Sequence, residues 1–373
     1  MTTTSVAEPS PTDSEANRST DPGKTPSRTA SSEKTGVWRL IFLAWRDAPR
    51  VVWLARAGIL FALLQSWIYL SWMFSADFTP RATGTDPLPG YVLWSIRGWE
   101  VFGVLGAVVF VGWMIRDLRR HGELHAVGIT VFAVMLTAWQ DPFVDYLVPM
   151  FSYNSHFLNM GTWAHHIPGW ETPFGANPQP SAFWIATYLL FTPVTCLACV
   201  WLLNKIRRRF PAINRFGLLL ILAVSLVGAD IVVEGVWLQQ GLYAYLRVVP
   251  WFHLDPGTLG SGALAAFPLQ EALLFGGLYM LVDAAIYYFR DDKGLMWTDK
   301  GIDTLQVGRS RAAVRILAMS AVMNAVFLIF NIAFTWFNLQ ASQTPDQPVP
   351  SYFTNGLCGV GDNPRCPPLV SGK

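Results

Sequence analysis

Seven stretches of this chain are apolar enough and long enough to cross a bilayer, and no other feature narrows its fold so far. A helix crossing the hydrocarbon core needs about 20 mostly apolar residues. The stretches run roughly over 51–74, 91–115, 127–149, 181–203, 216–238, 262–289 and 312–336. They predict an all-α fold, a polytopic membrane helix bundle of about seven transmembrane helices in the cell membrane. Composition points the same way. With 52% hydrophobic and 14% charged residues, the chain is too apolar for a disordered protein.

The net charge of +2 says little, because the charges are segregated. Arg39, Arg46, Arg50 and Arg56 precede or open the first stretch. Arg116, Arg119 and Arg120 follow the second, and Lys205, Arg207, Arg208, Arg209 and Arg215 lie between the fourth and fifth. Arg290, Lys293, Lys300, Arg309 and Arg311 separate the sixth from the seventh. The alternate loops hold only Arg81, nothing over 150–180, and Arg247. Basic residues gather on the cytoplasmic side of membrane proteins. The alternation therefore predicts the N-terminus inside and the C-terminus outside. It also accounts for the basic residues without nucleic acid.

Residues 1–36 are rich in Ser, Thr and Pro with few large apolar side chains, which predicts a disordered cytoplasmic tail. That segment lacks the apolar centre of a signal peptide, so the first span is expected to be retained. Residues 37–340 form the transmembrane domain and 341–373 an outer tail. Cys358 and Cys366 in that tail are placed to form a disulfide, or to remain two unpaired thiols. Cys196 and Cys199 read as CxxC inside an apolar helix and are expected to be packing residues.

Seven acids fall within the apolar stretches: Glu100, Asp141, Asp145, Asp230, Glu234, Glu271 and Asp283. Ionisable groups in a membrane are costly and point to function. In the expected orientation all but Asp283 come in the outer half. Asp141 and Asp145 are four apart, as are Asp230 and Glu234, so on a helix each pair shares a face. Pro142 should end or kink the third helix. Six acids from four helices then make a polar cavity open to the outer side, with Arg97 as cationic partner. Carboxyls crowded in low dielectric cannot all ionise, which supplies both a general acid and a base. The alternative is that the acids are hydrogen-bonding glue between helices. Asp283, near Tyr287 and Arg290, is read that way.

The 150–180 loop is then expected to be a lid over the cavity. Trp139, Tyr153, Asn154, Asn159, Trp163, His165, His166, Trp170 and Arg97 are the candidate substrate-binding residues. Trp and Tyr also gather at membrane interfaces for their own reasons, but that leaves the Asn and His residues and the "HIPGW" turn unexplained. The later loop "QQGLYAYLRVVPWFHLDPG" brings Gln239, Gln240, Tyr243 and His253 toward the same mouth.

The motifs "WQDPFVDY", "FSYNSHFLNMGTWAHHIPGW" and the following "ETP" resemble the AveC-like family of membrane spirocyclases. The resemblance is strongest over about 137–173. It implies a dehydratase and spiroketal-forming cyclase acting on a polyketide. The site residues named above rest on the physical reading, since the resemblance carries no catalytic assignment with it.

Spiroketal formation joins two hydroxyls to one ketone with loss of water. It needs an acid, a base and stabilisation of an oxocarbenium-like centre, and no metal or other cofactor. Carboxylates and aromatic faces both favour such a cation. A hydrophobic small-molecule substrate dissolved in the lipid bilayer would explain the membrane location. Cationic cyclisation of a terpenoid suits the same residues, and so does proton-coupled transport of a small molecule. Seven spans without a visible inverted repeat fit common transporter folds poorly. A di-iron oxygenase would need more histidines on one face than this chain offers. Of its six, His121 and His125 of "HGELH" are expected inside and His165 and His166 outside. No Walker loop, GxGxxG or GxSxG is present.

Overall fold

The computed structural model describes residues 48–175, 177–255, 266–305, 308–343 and 349–354. The tail expected over 1–36, and Cys358 with Cys366, lie outside the described residues. Among those described, helices dominate: α1 (Arg50–Met73), α2 (Gly90–His121), α3 (Ala126–Met135), α4 (Ser181–Arg209), α5 (Arg215–Gln239), α6 (Leu269–Tyr288), α7 (Arg311–Asn338) and a short α8 (Ser351–Thr354). Six of them, all but α3 and α8, are long and apolar enough to cross a membrane.

Local chemistry sets the helix ends. Asn214 accepts the Gly217 N–H at 2.8 Å and caps α5. His125 caps α3 through the Val127 N–H. At the end of α2, Gly122 takes the left-handed conformation, φ 71°, and its N–H bonds Leu118 O. Basic residues sit in the last turns of α2 (Arg119, Arg120) and α4 (Arg207, Arg208, Arg209), where they complement the helix dipole.

The third apolar stretch is not one continuous helix. α3 ends at Met135, and a 3-10 segment over Ala138–Asp145 follows at a 44° bend. The bend precedes Pro142, which lies inside the 3-10 segment rather than breaking α3. Asn324 of α7 braces the break. Its Nδ2 donates to Leu136 O at 3.1 Å, while its Oδ1 accepts from Trp139 Nε1 and Gln140 Nε2, both at 2.9 Å. Irregular backbone at membrane depth needs such partners, because lipid supplies none.

Two other spans are irregular. α4 contains a π-helical turn at Ala186–Phe191 and α6 one at Phe275–Met280. α7 is the most buried span and packs against α1. There Gly58 lies so close that a Cβ would stand 1.9 Å from Leu317 O. The main core joins α3, α4, α6 and α7 through residues such as Ile129, Cys196, Tyr279, Met323 and Phe327.

The loops add small antiparallel pairings. β1 (Phe151–Tyr153) pairs with β2 (Tyr243–Tyr245), with Phe151 opposite Tyr245 and Tyr153 opposite Tyr243. β3 (Arg247–Val248) pairs with β6 (Ser342–Gln343), and β4 (His253–Leu254) with β5 (Phe267–Pro268). Side chains alternate along a strand. Phe151, Tyr153, Tyr243 and Tyr245 therefore share one face of the first pair, and all four reach the same cavity.

Candidate active site

A partly open cavity lies between the 3-10 segment, α4, α5, α6, α7 and the β1–β2 pair, and leaves about 1260 Å3 free of protein atoms, its mouth included. Four of the acids singled out from sequence, Asp141, Asp230, Glu234 and Glu271, line it. Asp230 and Glu234 are one turn apart on α5, as their spacing requires. Glu271 comes from the first turn of α6, where the positive end of the helix dipole favours a carboxylate. Gly276 allows α6 to approach α5 closely: a Cβ there would stand 3.2 Å from the Asp230 Cβ.

The four carboxyls differ in their partners. Asp141 is held at both oxygens. Tyr188 Oη donates to Oδ1 and Trp184 Nε1 to Oδ2 at 2.9 Å, both from the start of α4. Glu234 Oε2 accepts from Tyr245 Oη at 2.7 Å. Asp230 Oδ2 is buried and, among the described residues, has no hydrogen-bond partner. Glu271, 8% exposed, lines the cavity, and among the described residues nothing donates to its carboxyl.

The remaining wall is aromatic and hydroxylic, with Phe183, Tyr188, Phe191, Trp237, Phe275, Tyr279 and Phe330 among its members. Burial, reinforced by the neighbouring carboxyls, holds the phenols of Tyr153, Tyr243 and Tyr245 well above their usual range. They remain protonated donors.

The other candidates lie off this wall. Asp145 is fully buried, its Oδ1 accepting the Met150 and Phe151 N–H groups at 2.8 and 2.9 Å and its Oδ2 the Asn177 amide at 3.2 Å. Glu100 accepts from Arg97 and from the Leu158 N–H at 2.6 Å. Arg97 also donates to His156 O at 3.1 Å. Asp283 is buried and accepts from Cys196 Sγ at 3.3 Å.

Of the loop residues proposed from sequence, Tyr153 and Tyr243 reach the cavity, and Asn177 and Gln179 reach it from the same loop as Tyr153. The others hold the loop together. Asn154 bonds Gly241 O and the His156 N–H, and Asn159 bonds Arg81, Gly161, Ser155 and Phe157 backbone groups. Trp163 donates to Trp139 O and packs with Tyr69 and Trp72 of α1. Trp139 itself bonds Asn324. Trp170 donates to Phe174 O, with His165 edge-on to its ring. His166 pairs with Asp77 at 3.0 Å and Ser75 at 3.2 Å.

Sequence reasoning passed over Trp184, Tyr188, Trp237 and Tyr245. Their signal was present as aromatic residues at helical spacing, Trp184 with Tyr188 above all, beside acids on neighbouring spans. Among the described residues no three His, Cys, Asp or Glu side chains gather in a metal-binding arrangement.

No curated protein and no solved structure matches the chain. A family model described as spirocyclase, AveC-like, matches residues 118–356, a span that includes every residue of the cavity wall and leaves out Arg97 and Glu100. This covers more than half of the chain, which belongs to the AveC-like spirocyclase family.

Proposed function

We propose that the chain is a membrane-embedded cyclase and dehydratase that closes a spiroketal on a hydrophobic, polyketide-like substrate by carboxyl general acid–base catalysis, with the cell membrane as its location. Family membership supports the cyclase and dehydratase role. The observation that carries the mechanism is the contrast between two acids on one wall. Asp141 is gripped by two donors, whereas among the described residues nothing donates to Glu271 on the same wall.

In this reading the ketone and one hydroxyl of the substrate first form a hemiketal. Glu271 gives its proton to the hemiketal hydroxyl, the C–O bond breaks, and water leaves. The oxocarbenium centre lies against carboxylates and aromatic faces that favour positive charge. The second hydroxyl attacks the cationic carbon, and a carboxylate of the Asp230–Glu234 pair accepts its proton. One water is lost and no net proton is consumed. Return of the proton to Glu271 through the shared wall resets the site. Asp141, held at both oxygens by Tyr188 and Trp184, is positioned beside the cationic carbon.

A second reading, a proton-coupled carrier, draws on the broken third span beside the acids. Accumulation of solute in vesicles, driven by a pH gradient, would favour it.

The test is genetic. A strain lacking the gene is complemented with the natural chain, with Glu271→Gln, or with Tyr188→Phe, and its metabolites are compared by mass spectrometry. Glu271→Gln should accumulate a compound one water heavier than the product. Tyr188→Phe should slow its conversion by roughly tenfold or more, the worth of a charge-assisted hydrogen bond. Full product with Glu271→Gln, at normal protein levels, sinks the mechanism.

A further inference from the structure

The charge balance of the cavity wall is one-sided. Asp141, Asp230, Glu234 and Glu271 line it, and among the described residues no Lys, Arg or His does. Arg97, the cation expected from sequence to offset these acids, is bound to Glu100 and His156 O instead. The acids are not bonded only to one another as glue. Among the described residues, Glu271, 8% exposed, has no donor, and Asp230 Oδ2 is a buried acceptor with nothing to accept.

Beside them stands a set of rings in mutual edge-on contact. The centroids of Phe183 and Trp237 are 5.4 Å apart at 75°, those of Trp237 and Tyr243 6.3 Å at 72°, and those of Tyr153 and Tyr243 6.2 Å at 78°. All four rings line the cavity, and aromatic faces attract organic cations.

We propose that the cavity selects its ligands by charge, taking neutral apolar molecules and organic cations and rejecting those that carry phosphate or carboxylate into it. The substrate is then a neutral molecule already free of any phosphate-bearing carrier. A stable amphiphilic cation that copies the charge of the reacting carbon is a competitive inhibitor. This rests on the reading of the cavity as the active site and adds the class of molecule it takes. The physics is Coulombic. An anion entering meets a wall that, among the described residues, offers four acids and no cation to neutralise it, and each contact with an ionised acid is several times stronger there than in water. The first turn of α6, whose dipole would attract an anion, already carries Glu271.

Photolabelling tests the proposal. The purified chain in phosphatidylcholine nanodiscs is exposed to three diazirine-bearing decyl probes that differ only in the head group: an alcohol, a trimethylammonium and a carboxylate. Labelled wall peptides, those carrying Phe183, Trp237 or Phe275, are quantified by mass spectrometry. The ammonium and the alcohol should label the wall, and the carboxylate should label it at least about tenfold less than the ammonium. The double variant Glu234→Gln, Glu271→Gln should lower ammonium labelling toward that of the alcohol, Asp141 and Asp230 remaining in place. Unchanged alcohol labelling in that variant shows the cavity still formed. Carboxylate labelling equal to that of the ammonium in the natural chain overturns the proposal, whatever the variant does. Catalysis is read separately, by metabolites. Product made by Glu271→Gln sinks the acid–base mechanism and leaves charge selection standing, whereas an anion on the wall does the reverse.

Discussion

The buried ion pair at the base of α7 offers the sharpest test of how the bundle is held. Asp299 is fully buried and Arg315 5% exposed. Arg315 donates to Asp299 Oδ2 from Nε at 3.0 Å and from Nη2 at 2.8 Å. The Met296 N–H donates to the same oxygen at 2.9 Å, and Oδ1 has no partner. Arg315→Met leaves that carboxylate buried with a single donor. Stranding one partner of such a pair costs about 3–5 kcal/mol. The apparent melting temperature should fall by on the order of 10 °C. Removing both charges, with Asp299→Leu added, ends the stranded-charge penalty and should recover most of the loss, to within about 1–2 kcal/mol of the natural chain. Thermal unfolding in detergent, followed by tryptophan fluorescence, reads all three proteins. If Arg315→Met costs under about 1 kcal/mol, the pair is not desolvated as its burial implies. If the double variant is no better than the single, the loss comes from packing rather than from an uncompensated charge. The result bears on the site as well, since α7 carries Phe327, Phe330 and Phe334 into the cavity wall.

Three further outcomes follow from single contacts. A Cβ at Gly103 would stand 2.2 Å from Ala182 O, so Gly103→Val should push α2 off α4 and cost about 1–3 kcal/mol; Gly112→Ala, with open space around it, should be neutral or slightly stabilising in the same melt. Glu100→Gln weakens the Arg97 pair and the Leu158 N–H bond and should cost about 1–3 kcal/mol of stability, while the protein that remains folded keeps its metabolite conversion, because Glu100 lies off the cavity. Hydrogen bonds from the Ser351 N–H and hydroxyl hold the Asp86 carboxyl below its usual range, so the tether it makes is complete above about pH 4 and is lost as pH falls through the lowered folded value; a fall in the protection factor of the Ser351 amide on acidification, absent in Asp86→Asn, is the expected reading.

Hydropathy made most of the helices legible, because a bilayer-crossing segment must be long and apolar and little else in a chain is. The broken third span was less so. The sequence marks Pro142, yet the bend falls at Leu136 and Thr137, where the deciding partner is Asn324, far away in the chain. The acid pairs show the limit of spacing arguments. Asp230 and Glu234 sit on a regular helix and share the cavity. Asp141 and Asp145 do not, because their segment is 3-10. At about three residues per turn, positions four apart diverge by a third of a turn. Asp141 therefore faces the cavity while Asp145 turns back to cap Met150 and Phe151. Glu100 was grouped with the others by depth, but its neighbour Arg97, three residues before it, takes its charge. The aromatic loop was read as one lid. Much of it packs on α1, and the strand that does face the cavity is recognisable only once its partner at Tyr243–Tyr245 is known.

The widened turns at Ala186–Phe191 and Phe275–Met280 give the wall an unusual tolerance and an unusual weakness. Each holds one residue more than a regular turn needs, so deleting a residue there would not snap the helix but heal it. Because the widened turn has already absorbed the extra residue, the healed rod would leave everything beyond the deletion close to its present facing. For α4 that keeps Thr192 and Thr195 on the cavity, and for α6 it keeps Met280 there, while the wall at the turn itself loses a side chain. A gene that lost one codon at either place would still encode a helix of membrane-spanning character, lining a differently shaped chamber.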